Sequence, residues 1–223
     1  MAPPAEKPQA GELPETMATP TPRPREKPAD APSPVAASPA SPMPDDEARC
    51  RERLKTLGVA FTEVAPISEP EGCAAPYPVT VSKLSDTVAL EPPAVLTCAM
   101  AEASARFVHD HAAPLAQAEF GAPLATVAQA SSYVCRPRRG GAKLSEHAFA
   151  NALDWSALTL ADGTRIEVRA HDAAKEPRAH SLISKLHERA CGPFATVLGP
   201  GADADHADHF HFDLAKRRNP FCQ

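Results

Sequence analysis

The stretch Ala202–Ala215, ADADHADHFHFDLA, packs three histidines and four aspartates into fourteen residues. Within it, HFHFDL alternates as a β-strand does, with successive side chains on opposite faces. His209, His211 and Asp213 then share one face, and Phe210, Phe212 and Leu214 share the other. The phenylalanines can pack on a core while the imidazoles point into a cleft. A His-x-His pair on a strand is a sound start for a metal site, but a weak signal alone, because an ordinary polar face looks the same. A catalytic zinc takes three protein ligands and keeps one open position. The remaining ligand donors must therefore come from elsewhere in the chain.

Several histidines can be set aside. His109 and His111 lie in a predicted helix, where residues two apart point roughly 200° apart and cannot chelate together. His180 and His187 sit seven apart on another predicted helix and read as a solvated face. His171 has no visible partner. More telling is SEHAFANALDW, residues 145–155, which places His147 and Asp154 seven apart with small residues between them that permit a tight turn.

Around these stretches the chain reads as helices and strands without regular βα alternation. Asp45 and Asp46 precede EARCRERLKTLG, an amphipathic helix stopped by Gly58. VAFTEV and YPVTVSKL read as strands. A long Ala-rich helix opens near Thr97, and Pro114 is expected to kink or split it. ATVAQASSYVCR reads as a strand followed by an irregular loop. EPRAHSLISKLHERACG places Leu182, Ile183, Leu186 and Ala190 on one helical face. FATVLG and HFHFDLA are the last strands. The order favours an α+β fold, a small antiparallel sheet with flanking helices.

Residues 1–46 differ from the rest. They hold 13 of the 26 prolines and no Phe, Tyr, Trp, Ile or Cys. Such a segment cannot bury enough apolar surface to offset its ordering entropy, and it reads as a disordered, partly polyproline-II tether. At ~3.1 Å per residue it would reach roughly 140 Å. Residues 47–223 are left for one domain. The net charge of −5 and the lack of any long basic run speak against nucleic acid. The short AKRRNP cluster reads as a solvated chain end. No apolar run is long enough for a transmembrane segment.

All six cysteines lie in the domain, and none forms a CxxC pair. Their even number and wide spacing suggest three disulfides and an oxidising compartment. Sequence order suggests Cys50–Cys73, Cys98–Cys135 and Cys191–Cys222. Export requires a signal or membrane anchor, which MAPPAEKPQA does not supply. The expectation is that one has been removed and that Met1 is an added start.

SEHAFANALDW resembles the S-x-H-x-x-G-x-A-x-D signature of the LAS metallopeptidases, a group named for lysostaphin, D-Ala-D-Ala metallopeptidases and sonic hedgehog. HADHFHFDL resembles their closing H-x-H strand. Residues 48–222 resemble one branch, the bacterial extensin-like C-terminal domain, through CRERLKTLGVAF, PPAVLTC, SSYVCRP, LSEHAFANALD, TVLGPGADADHADHFHFDLA and Cys222. One departure is Ala150, where the signature has glycine; alanine fits only if φ there is not forced positive. The family name's link to plant extensins implies nothing about function and reflects Pro-rich tethers.

The resemblance implies a LAS-like fold with Zn2+ held by His147, Asp154 and His211 and a water in the fourth position. His209 is then the general base or oxyanion stabiliser, with Asp208 a rival that strand alternation places on the opposite face. His206 resembles a further active-site histidine of the penicillin-insensitive murein endopeptidases. Arg136 stands where relatives bind a substrate carboxylate or the oxyanion. Ser145 orients a ligand or substrate, or caps a turn. Trp155 and Tyr133 read as core rather than as substrate platforms. The expected function is a monomeric, periplasmic zinc peptidase acting on peptidoglycan stem peptides, most simply an endopeptidase on cross-links, with a carboxypeptidase still open. The alternative is a non-catalytic peptidoglycan-binding or structural module on the same fold. A His-hydrophobic-His nuclease needs a nucleophilic tyrosine and a basic face; with only Tyr77 and Tyr133 and a negative charge, that reading is set aside.

Overall fold

Phe210 and Phe212 are fully buried, and His211 between them is not, as strand alternation requires. The computed structural model describes residues 43–223; the expected tether lies almost wholly outside these residues. In chain order the elements are α1 (Asp45–Thr56), β1 (Ala60–Glu63), β2 (Ile67–Ser68), β3 (Ala74–Ala75), β4 (Val79–Lys83), β5 (Ala89–Leu96), α2 (Cys98–Phe107), α3 (Ala113–Phe120), β6 (Leu124–Ser131), β7 (Ala152–Leu160), β8 (Arg165–Glu167), α4 (Pro177–Ala190), β9 (Thr196–Leu198), β10 (Phe210–Asp213) and β11 (Phe221–Cys222).

The fold is α+β, but the sheet is neither small nor wholly antiparallel. Nine strands run in the order β1-β4-β5-β6-β7-β10-β9-β11, with β8 also on β7. The β5–β6 and β9–β11 pairs are parallel and the others antiparallel. β2 and β3 form a separate two-stranded ribbon. Six strands, β2, β3, β5, β7, β8 and β11, were not expected from the sequence. β7 is buried on both faces along almost its whole length, so ALDWSALTL does not alternate. β5 contains Pro92 and Pro93, which fall in the bulged gap of its pairing with β4, between Ala89 and Ala94. Prolines cannot donate to a ladder and are tolerated at such a gap. β8 has only three residues.

The helices follow local chemistry. Asp45 and Asp46 lie in the first turn of α1 rather than capping it, where their charge suits the helix dipole. Gly58 takes φ +72° just after the helix, and a Cβ there would meet Asp86 at 2.7 Å. The Thr97 side chain caps α2 by accepting from the Met100 N–H at 3.1 Å. The expected break at Pro114 takes a specific form. α2 passes into a π-type turn, Val108–Ala112, and α3 restarts with Pro114 in its first turn. Proline has no N–H to give to the preceding turn, and a wider turn there absorbs the deficit.

Phe107, Trp155, Phe194 and Phe212 are fully buried together, with Phe194 stacked on Phe212 at 4.5 Å and Trp155 edge-on to Phe212 at 5.4 Å. Burial of each such side chain stabilises by about 1.5–3 kcal/mol. The cluster backs β7 and β10 and fixes the plane from which the cleft residues project. Trp155 is therefore core, as expected. Among the described residues, no helix is long and apolar enough to cross a membrane.

All six cysteines are paired. The pairs are Cys50–Cys98, Cys73–Cys135 and Cys191–Cys222, so two of the three sequence-order pairings are corrected. Cys50 on α1 meets Cys98 at the start of α2. Cys73 reaches forward to the loop after β6. Nearest neighbours in sequence are not neighbours in space here, because α1 and α2 pack across the intervening strands. Closing loops of 48 and 62 residues stabilises each by ~4 kcal/mol in the chain-entropy account. Thiol titration of the unfolded, unreduced protein is expected to find no free thiol. Peptide mapping should recover the three pairs above; recovery of Cys50–Cys73 would contradict this fold.

Candidate functional site

The β7–β10 register sets Asp154 directly opposite His211. Opposed residues of an antiparallel pair point to the same side, and here Asp154 Oδ1 lies 2.9 Å from His211 Nδ1. The third group arrives from SEHAF. Ser145 starts a short 3-10 turn, Glu146–Phe149, with its hydroxyl accepting from the His147 N–H. Ala150 then reverses the chain at φ 52°, ψ 26°, and β7 begins two residues later. His147 Nε2 ends 3.2 Å from both Asp154 Oδ1 and His211 Nδ1.

Ala150 is the one non-glycine among the described residues with positive φ. The condition set for an alanine at this position is thus not met. The backbone is left-handed, and alanine carries the strain because its N–H and C=O are both fixed, to His147 O at 3.1 Å and from Thr97 N at 2.8 Å. That conformation costs an L-residue about 1–2 kcal/mol, which glycine avoids at some entropic cost. Ala150→Gly is therefore expected to raise stability by about 1 kcal/mol, read as a higher denaturant midpoint. A lower midpoint would show that packing of the buried methyl outweighs the strain.

Both imidazoles have a defined inner nitrogen. His147 Nδ1 lies 2.5 Å from the Ser132 carbonyl and donates to it, which directs Nε2 toward the cluster. His211 Nε2 faces Asp213 Oδ2 at 3.3 Å, leaving Nδ1 toward Asp154. Burial alone would raise the Asp154 pKa, but hydrogen bonds from His147 and His211 overcome it and hold the carboxyl well below the usual range. Burial disfavours charge on His211, yet the Asp154 and Asp213 carboxylates push its pKa up to about 9. Asp213 is likewise buried and is held low by His211, the Ala215 backbone and Thr196. The three inner atoms form a triangle of edges 2.9, 3.2 and 3.2 Å. Tetrahedral donors at ~2.0–2.1 Å from one ion lie about 3.3 Å apart. Two nitrogens and one carboxylate oxygen at this spacing, each imidazole buttressed from behind, suit a single divalent cation.

The cluster opens into a cleft of about 830 Å³. His209, just before β10, lines it. Its Nδ1 is 2.9 Å from Asp208 Oδ1 and its Nε2 is 3.9 Å from Asp154 Oδ2. Asp208 itself is 88% exposed at the side chain and is not part of the cleft wall; it sits behind His209. His206 is 5.2 Å from the His209 ring, with Nδ1 on Asp203 at 2.7 Å. Arg136 and Ser145 both line the cleft. Ser145 caps the His147 turn, so its hydroxyl positions that residue through the backbone.

Tyr133 turns away to Glu69 and lies off the cleft. His109 is exposed, and His111 packs on Phe107. The expected solvated face on α4 is only half correct. His180 is exposed, but His187 stacks on Phe210 and meets the Gln223 carbonyl at 2.8 Å. His171 finds Glu167 O at 2.8 Å and Glu176 at 3.2 Å. A second acidic group, Glu69 and Glu71 beside Cys135, lacks a thiolate because Cys135 is in a disulfide. Sequence reasoning gave no role to Asp213, Asp203, Thr196 or the Ser132 carbonyl. Asp213, two beyond His211 on the same face, was the one with a readable signal.

A largely buried His–Asp–His triangle at the floor of a cleft, on a largely antiparallel α+β sheet, is a donor set that could hold a metal ion. The chain belongs to the family described as Extensin-like protein C-terminus, which it matches over residues 48–223. Comparison with curated proteins gave no match, and neither did comparison with solved structures.

Proposed function

We propose that the chain is a zinc-dependent peptidoglycan peptidase of the periplasm, an endopeptidase that hydrolyses cross-links between stem peptides. The observation that carries this reading is the donor triangle of His147 Nε2, Asp154 Oδ1 and His211 Nδ1. The resemblance of SEHAFANALDW and HADHFHFDL to the LAS metallopeptidase motifs supports a LAS-like fold and this substrate class. Three disulfides suit an exported protein. A Pro-rich segment ahead of the domain suits an enzyme that must reach from an anchor to the wall.

The three inner donors would hold the ion. Bound there, zinc would polarise the scissile carbonyl and make water acidic enough to attack near neutral pH. The remaining work falls to the chain. His209 accepts the proton of the attacking water at Nε2 while Asp208 steadies its Nδ1. His206, held by Asp203, is placed beside it to return a proton to the leaving amine. The Arg136 guanidinium faces the cleft without a carboxylate partner among the described residues and suits a substrate carboxylate or the developing oxyanion. Asp213 and the Ser132 carbonyl keep both imidazoles in the tautomer that the ion requires.

The test uses purified cross-linked muropeptide dimers. Protein treated with a chelator should leave them intact, and about one equivalent of zinc should restore cleavage to monomers. Tight dimer binding without cleavage at any zinc level would overturn the peptidase and favour a binding module.

A further inference from the structure

The segment between β10 and β11 is exposed from Lys216 to Pro220, as a solvated chain end would be. Arg217, however, is held in place. Its Nε donates to Thr196 Oγ1 at 3.0 Å, and its guanidinium lies 5.4 Å from the Phe221 ring centroid. Both Arg217 and Phe221 line the cleft. The segment is pinned beyond them by the parallel β9–β11 pairing and by Cys191–Cys222. Phe221 is 41% exposed, so cation and aromatic face together meet the cleft opening.

Four arginines line this cleft. Arg138 is paired with Glu146, and Arg139 with Asp205. Arg136 and Arg217 have no carboxylate partner among the described residues. An arginine anchored through Nε still presents Nη1 and Nη2 as a fork that matches a carboxylate. The two arginines also lie on different sides of the cluster. Arg136 lies in the loop after β6, and Arg217, in the segment after β10, is held against Thr196 of β9, while Asp154 and His211 occupy β7 and β10 between those two strands. Thr196 ties this cation to the cluster as well. Its hydroxyl accepts from Arg217, and Thr196 stands opposite Asp213 in the β9–β10 register; the Asp213 carboxylate faces His211.

We infer that Arg217, steadied by Thr196 and Phe221, is a carboxylate subsite. The chain's ligand is then a peptide carrying anionic groups on both sides of the segment laid over the cluster. For the bond that is cut, this rests on the peptidase reading; for binding, it does not.

The experiment is calorimetric titration of the full chain in chelator, so that no hydrolysis competes. The probes are a cross-linked muropeptide dimer with free carboxylates and the same dimer amidated at every carboxyl. Wild type should bind the free form at least about tenfold more tightly, the scale of a charge-assisted hydrogen bond. Arg217→Gln should weaken the free form about tenfold and the amidated form less than about twofold, and Arg217→Lys should recover part of the loss. Thermal melts of both variants check the fold. Equal weakening of both dimers, no weakening, or no binding of either dimer by wild type would overturn the subsite. Retained preference with no cleavage by the zinc-loaded protein would overturn the peptidase and leave the subsite standing.

Discussion

Asp154→Ala and His211→Ala are each expected to strip zinc from the folded chain, leaving less than about a tenth of an equivalent under conditions where wild type holds about one. Each removes one corner of a triangle whose edges are 2.9–3.2 Å, and among the described residues the donor group at this site consists of those three side chains. Asp213→Asn should act more mildly. It leaves all three inner atoms and weakens only the buttress behind His211, so metal affinity should fall about 10–100-fold. The order of effects matters as much as their size. Elemental analysis after gel filtration, with circular dichroism as a fold check, reads it directly. Retention of stoichiometric zinc by either ligand variant would remove the site. Equal loss in Asp213→Asn and Asp154→Ala would mean that Asp213 is a ligand rather than a support.

His209→Ala is expected to keep the fold and most of the zinc, and to slow dimer cleavage by roughly 10²–10⁴, the usual range for a general acid–base group. His209 lines the cleft, with Nε2 3.9 Å from Asp154 Oδ2, near the cluster but outside the triangle. Asp208→Asn should cost less. The Asp208 side chain is 88% exposed and touches the imidazole from outside, where an amide oxygen can still accept from Nδ1. A larger loss in Asp208→Asn than in His209→Ala would transfer the base to Asp208.

The parts of this site that were legible in the sequence are those governed by local periodicity. HFHFDL alternates, and alternation alone separates buried Phe210 and Phe212 from His209, His211 and Asp213. His147 and Asp154 were legible through the motif that spans them. The structure adds the physical reason for the spacing: a capped turn, a left-handed Ala150 and a strand entry. What sequence could not supply is register and long-range closure. Nothing in ALDWSALTL marks it as the central strand, because burial on both faces erases alternation. The Cys50–Cys98 and Cys73–Cys135 pairs depend on which distant segments pack together. The Ser132 carbonyl that orients His147 is backbone and leaves no trace in residue identity. Arg217 reads as chain-end charge until the β9–β11 pairing folds the tail back on Thr196.

The His147–Asp154–His211 centre is proposed to hydrolyse an amide in a cross-linked peptide. The most direct test is to incubate the zinc-loaded chain with purified muropeptide dimer in ¹⁸O-labelled water and to weigh the products by mass spectrometry. Two monomers are expected, with one labelled oxygen in the newly formed carboxylate. Unchanged dimer in the presence of stoichiometric zinc would contradict that proposal.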